Sequence, residues 1–341
     1  MRIDAFTHFY PQRYYQRMEE VGSGLKDMFR RARAVTSIHD LDVRLRLVDA
    51  FEDYAQIISL PMPTLETISR GDGKIALELA RIGNDGMAEL VAKHPRQFPA
   101  FVAQAPLSAP DAGVAEVERA INELGAIGVQ IFSNVDGKPL DRPQFEAFFA
   151  AMNRLGKPIW LHPARGAEHA DYLDEAKSFY EIWWTFGWPY ETSVAMARLV
   201  FSKLLDRYPR LTIIAHHLGA MVPYFEGRVG PGWDQLGKRT TDEDYFALLK
   251  GLKKRPLDYF RQDFYADSAV FGSRAATVCG LDFYGADKVV FASDCPFDPE
   301  GGPAYIRETI AILDSLDMPK ADRDKIYCGN IEKLTGRRFS G

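Results

Sequence analysis

Eight short apolar runs recur along the chain, at residues 2–6, 54–59, 98–103, 126–131, 158–161, 211–215, 264–266 and 289–292. Longer amphipathic stretches of helical period lie between them, at 73–94, 111–124, 142–155, 192–208 and 304–316. A run of four to six residues suits a buried strand, and an intervening stretch of a dozen or more suits the helix that returns the chain to the same sheet edge. The pattern predicts repeated βα units around a parallel sheet. Eight such units within 341 residues match a (β/α)8 TIM barrel, whose chemistry sits at the C-terminal ends of the strands. A doubly wound open sheet is the competing architecture, but no GxGxxG follows the first run and no GxxxxGK[ST] occurs, so its nucleotide-binding forms lose their main support. Segments 11–38, 165–190 and 227–261 exceed a minimal barrel and read as inserted, partly helical excursions. No low-complexity linker divides the chain, so residues 1–341 are expected to form one domain.

An apolar fraction of 46% and a charged fraction of 26% exclude disordered, collagen-like and coiled-coil classes. The net charge of -5, without a long basic run, argues against nucleic acid as a partner. Cys279, Cys295 and Cys328 show no CxxC spacing, which points to a reducing, cytoplasmic setting. The opening segment MRIDAFTHFYPQRYYQR has no signal-peptide core, and no apolar window reaches membrane-spanning length.

Four of the seven histidines fall at or just past expected strand ends: His8, His162, His216 and His217. Asp294 follows the eighth run in VVFASDCPFD, placing a carboxylate on the same rim. Imidazole nitrogen with carboxylate oxygen is a common catalytic ligand set for zinc and related divalent ions. His8, His162 and Asp294 are therefore the expected metal ligands. Consecutive strand residues point to opposite faces, so one of His216 and His217 is expected to face the centre while the other bonds nearby backbone. The inward one can move a proton near neutral pH. The Arg228 guanidinium matches a carboxylate, with a solvated surface arginine as the alternative. The aromatic stretch holding Phe179, Tyr180, Trp183, Trp184, Phe186, Trp188 and Tyr190 either roofs a pocket for a flat ligand or packs a subunit interface. Arg228, His216 and Trp184 are the candidate substrate contacts.

The segments IDAFTHFYP, IGVQIFSNVDGKPLDRPQFEAFFAAMNRLGKPIWLHP, LTIIAHHLGAMVPYFEGR, VVFASDCPFDPEGG and KIYCGNIEKL together resemble the amidohydrolase superfamily. Within it, they resemble the group of aminocarboxymuconate semialdehyde, γ-resorcylate and 5-carboxyvanillate decarboxylases. The resemblance covers nearly the whole chain. It implies a distorted TIM barrel, one divalent metal, zinc first and manganese second, no organic cofactor, and a homodimer. It also implies that His162 and Asp294 are metal ligands. The group's catalytic histidine stands six residues before a proline, and His217 has that spacing to Pro223. His217 thus takes the catalytic role, with Asp294 as the alternative proton donor. Arg228, eleven residues beyond His217, corresponds to an arginine that reaches substrate carboxylate across a dimer interface.

One position departs from the group's pattern. The usual opening triplet is His-x-His or Glu-x-His, and here it is Phe6, Thr7, His8. Phenylalanine cannot ligate a metal, so His8, His162 and Asp294 remain as a three-ligand set, and Asp4 is expected to be structural. The expected activity is metal-dependent, non-oxidative decarboxylation of an aromatic or unsaturated carboxylic acid. Hydrolysis or hydration of a related ring-cleavage product, and a metal-free ligand-binding barrel, are the competing readings.

Overall fold

A computed structural model describes residues 1–339. Residues 340 and 341, counted in the single expected domain, lie outside the described residues. Strands form at all eight expected runs: β1 Arg2–His8, β2 Tyr54–Ser59, β3 in two pieces, Ala100–Phe101 and Ala103–Gln104, β4 Val129–Phe132, β5 Ile159–His162, β6 Ile213–Ala215, β7 Phe264–Asp267 and β8 Val289–Val290. Neighbours pair in parallel from β1 through β8. Closure comes just past β8, where the Ala5 amide donates to Phe291 O at 2.8 Å and the His8 amide to Cys295 O at 2.8 Å. The sheet is therefore a barrel.

The boundaries that differ from expectation have local causes. β3 changes partner midway, since the Val102 amide donates to Ile58 O while the Ala103 amide donates to Gly128 O. The stretch expected as one helix at 192–208 divides into Gly187–Phe201 and Leu204–Arg207, because Lys203 adopts a left-handed φ of 60° between them. The segment at 11–38 folds into α1 Gln12–Val21 and α2 Met28–Ala34, and 227–261 contains short helices at Tyr245–Lys250 and Pro256–Gln262.

Two apolar layers hold the barrel. Inside, Ile3, Ala55, Ile57, Val102, Ile214 and Val290 pack around Trp160, whose Nε1 donates to Ala5 O at 2.9 Å. Room for that indole is made at Gly128, where a β-carbon would collide with Trp160 Cζ3. Outside, the other strand faces meet the helices, among them Leu79, Val117, Phe149 and Leu199, all buried. Alternate residues of each strand thus serve the two layers. In β1 the register shifts between Asp4 and Thr7. Phe6 lies within that irregularity and faces the barrel interior together with Ala5, its ring 5.2 Å from that of His8.

Asp4 is structural, as expected. Its carboxylate accepts from Ser293 N at 3.0 Å and Tyr54 Oη at 2.6 Å, tying β1 to the loop that carries Asp294. Burial pushes its pKa up to about 6, against the pull of those donors. Among the described residues no helix is long and apolar enough to cross a membrane.

Candidate functional site

The C-terminal rim gathers the expected polar residues. His8 ends β1, His162 ends β5, His216 and His217 follow β6, and Asp294 lies just past β8. His8, His162, His216 and Asp294 each offer one donor atom, all within 4.8 Å of one another, and all four are buried. His8 Nε2 stands 3.0 Å and His216 Nε2 3.4 Å from Asp294 Oδ1.

Each of the three imidazoles is held from its far side. The Ser59 hydroxyl donates to Thr7 O at 3.0 Å, so it receives the His8 Nδ1 proton at 3.1 Å. His162 Nδ1 donates to Pro163 O at 2.7 Å, and His216 Nδ1 lies 2.5 Å from Asp267 Oδ2. These bonds set one tautomer on all three rings, proton on Nδ1 and lone pair on Nε2 facing the centre. His8 Nε2, His216 Nε2 and Asp294 Oδ1 are buried without hydrogen-bond partners. Inward lone pairs on anchored rings beside a carboxylate fit a divalent ion.

The electrostatics agree. Burial lowers the pKa of His8, and burial with the nearby charge of His216 lowers that of His162 well below the ordinary range. For His216 burial acts downward, but the Asp267 carboxylate and then Asp294 outweigh it and push the pKa up to about 9. Burial acts upward on Asp294, and the surrounding imidazoles, His216 first, hold it well below the usual carboxylate range. A site that draws a proton to His216 Nε2 in the absence of metal favours positive charge at that point.

His216 and His217 depart from the strand rule. β6 ends at Ala215, and the chain then turns through left-handed conformations at His217 (φ 56°), Leu218 (φ 55°) and Gly219 (φ 73°). A β-carbon at Gly219 would meet Tyr284 Oη. Strand alternation therefore stops before the pair, and both rings face the centre, with centroids 3.7 Å apart. His216, expected as a substrate contact, instead stands in the metal-capable group with Asp267 behind it. His217 Nε2 lies 3.6 Å from Asp294 Oδ2, and neither of its nitrogens has a hydrogen-bond partner. Burial and the charge of His216 lower its pKa. Phe6 packs beside the group, its ring 4.3 Å from His216 and 5.2 Å from His8.

Above the group opens a cavity of about 1000 Å³ that reaches His162 and Asp294. Trp183, Trp184 and Trp188 wall one side, and Phe271, Phe297 and Tyr305 also line it. The aromatic stretch at 179–190 thus divides: its tryptophans line the cavity, while Phe179, Tyr180, Phe186 and Tyr190 face outward. Arg228 is exposed, its guanidinium 5.8 Å from the Phe225 ring, and does not line its own chain's cavity. Sequence reasoning missed Asp267, although it ends a strand as His8 and His162 do. It also missed Ser59, Phe271 and Tyr305, which carry no local signal.

A family model described as amidohydrolase matches residues 3–337. The chain is 33% identical over 301 residues to a gamma-resorcylate decarboxylase of Rhizobium sp. strain MTP-10005, covering 86% of each chain. The solved dihydroxybenzoic acid decarboxylase of Polaromonas sp. JS666, with bound manganese and 2-nitroresorcinol, superposes with a TM-score of 0.78 at 27% identity, covering 99% of this chain and 98% of that one. The 5-carboxyvanillate decarboxylase of Novosphingobium aromaticivorans, complexed with manganese and 4-hydroxy-3-methoxy-5-nitrobenzoic acid, gives 0.82 at 25% identity, covering 99% and 96%. With the barrel, the rim histidines and Asp294 in place, these matches make the chain a member of the amidohydrolase family.

Proposed function

We propose that the protein is a metal-dependent, non-oxidative decarboxylase of an aromatic carboxylic acid. The observation that carries this is the division of labour among four imidazoles: three are anchored through Nδ1 and belong with Asp294 to one compact metal-capable group, while His217 alone of the four has both nitrogens free. The decarboxylase relatives support the same reading. His8, His162 and Asp294, with His216 beside them, would hold a divalent ion, which would supply positive charge for a substrate carboxylate or hydroxyl and for the charge that develops as the carbon-carbon bond breaks.

The chain's own residues do the rest. The tryptophan wall and Phe271 clasp the ring and exclude water from the cleavage point. His217, neutral at neutral pH, takes a proton from the substrate's acidic group at Nε2. It returns that proton to the ring carbon that keeps the electron pair when carbon dioxide leaves. Asp294, ionised and 3.6 Å away, stabilises the imidazolium in between.

Zinc is our first choice of ion, because a mixed imidazole and carboxylate set suits it, with manganese second. We also propose a homodimer of single-domain subunits in a cytoplasmic setting. The three free cysteines support a reducing compartment. An exposed Arg228, away from its own cavity, supports a role in the partner's site. Mixing inactive His217→Asn with inactive Arg228→Ala protein then restores partial activity as hybrid dimers form.

The reading is tested by loading the protein with zinc or manganese and assaying carbon dioxide release from a panel of ortho-hydroxybenzoic acids. Release that depends on added metal is the expected result. Hydrolysis of lactones or hydration of unsaturated diacids, with no carbon dioxide from any acid, would replace decarboxylation with the hydrolase reading.

A further inference from the structure

The cavity is at the upper end of the range for small-ligand sites, roughly 300–1,000 Å³. A single-ring acid held at His162 and Asp294 fills only its floor. The outer wall is built by α2 and the turn before it. Phe29 and Ala32 bury one side of that helix and leave Arg30, Arg31 and Arg33 exposed, with Lys26 just before them. All four cations line the same cavity as the metal-capable group.

These cations are not equally occupied. Arg33 is paired with Glu19 at 2.7 Å. Arg31 Nη2 is fixed by the carbonyl oxygens of Phe297 at 2.9 Å and Asp298 at 3.3 Å, so its charge is positioned but not neutralised. Among the described residues the side chains of Lys26 and Arg30 have no ion-pair or hydrogen-bond partner. Two carboxylates share the mouth, and one of them, Glu181, already accepts from Trp184 Nε1 at 2.8 Å. Positive charge therefore exceeds negative charge on the exposed part of the cavity lining, whereas the metal-capable group is buried.

We propose that the substrate is an extended aromatic acid with a second anionic group, its reacting carboxyl at the floor and the distal anion received by the unpaired side chains of Lys26 and Arg30. This rests on the decarboxylase reading for the chemistry at the floor and deepens it by naming the substrate class. An extended aromatic body uses the tryptophan wall along its length. Guanidinium groups suit a terminal carboxylate or phosphate.

The test reads binding, so that it does not depend on turnover. The probes are three non-reacting biphenyls with a 3-hydroxy-4-nitro ring at one end and, on the other ring at the 4′ position, a carboxylate, a phosphonate or a neutral carboxamide. Each is titrated calorimetrically into manganese-loaded protein at low salt, because exposed charges are screened as ionic strength rises. The better anionic probe is expected to bind about tenfold tighter than the carboxamide, and the Lys26→Ala/Arg30→Ala double variant to bring that ratio close to one. Which anion binds tighter identifies the terminal group. Equal affinities in the unmodified protein, or a ratio that survives in the double variant, overturn the proposal. Carbon dioxide assays on the matching biphenyl acids separate the two readings. Charge-dependent binding without release leaves the anion site and removes decarboxylation. Release from the carboxamide acid at the rate of the diacid, with equal binding, leaves decarboxylation and removes the anion site.

Discussion

Asp267 Oδ2 lies 2.5 Å from His216 Nδ1, with both side chains fully buried. That contact sets the tautomer of a ring whose other nitrogen faces His8 and Asp294. A carboxylate behind a metal-binding imidazole fixes its orientation and raises its basicity, and its removal weakens affinity by roughly 10- to 100-fold. Asp267→Asn is expected to lower zinc affinity within that range, read by competition with a chelating dye. Affinity unchanged in Asp267→Asn would place His216 outside the ligand set.

His162→Ala and Asp294→Ala are expected to abolish stoichiometric metal binding while leaving circular dichroism and the unfolding transition close to those of the parent metal-free protein. The barrel interior around Trp160 is packed independently of the rim, so loss of a catalytic ion does not remove the core. Metal analysis after dialysis decides this. Phe6→His, which restores the missing residue of the opening triplet beside His8 and His216, is expected to tighten binding in the same assay.

The barrel was legible in the sequence because its signal is periodic: each of the eight apolar runs became a strand, with boundary errors of a few residues. The rim histidines and Asp294 were legible because strand ends in a barrel converge. What escaped depends on backbone geometry that spacing does not encode. The alternation rule failed at His216 and His217 because the chain leaves the strand at Ala215 and turns left-handed at His217. Asp267 escaped for a different reason, since a lone carboxylate at a strand end gains meaning only from the imidazole it touches. Lys26 and Arg30 belong to a segment read only as an excursion, and nothing local says which cavity a helix will roof.

Glu66 gives the fold a pH dependence of its own. It is buried, with only 4% of its surface exposed, and accepts from Ser108 N at 3.2 Å. Burial, with Asp136 adding to it, pushes its pKa from 4.5 up to about 7. The folded state therefore holds this proton where the unfolded chain has released it, and stability falls as pH rises between those two values. The full loss is of the order of 3 kcal/mol. Urea unfolding at about pH 5 and pH 8, with chelator present, is expected to show this decline. Glu66→Gln should shrink the decline by about that amount, leaving the share of Asp4 and His216, whose pKa values are also raised in the fold, and make the variant the more stable protein at the higher pH. A decline of equal size in Glu66→Gln would assign the effect to other groups.

The two adjacent histidines are expected to separate when each is changed to asparagine. Among the four rim imidazoles His217 is the one without a hydrogen bond on either nitrogen, so on the proposed function His217→Asn removes the proton carrier and leaves the anchored donors intact. Metal content should stay near that of the parent while kcat falls by about 10²- to 10⁴-fold, the usual contribution of a positioned acid or base. His216→Asn removes a donor from the group around Asp294 and also leaves the Asp267 carboxylate buried without its partner. Metal affinity should therefore fall together with activity, and the unfolding midpoint should drop, because an unpaired buried charge is costly. Metal analysis and kinetics on the two variants, prepared side by side, distinguish these roles. Loss of metal from His217→Asn, with metal retained by His216→Asn, would exchange the assignments.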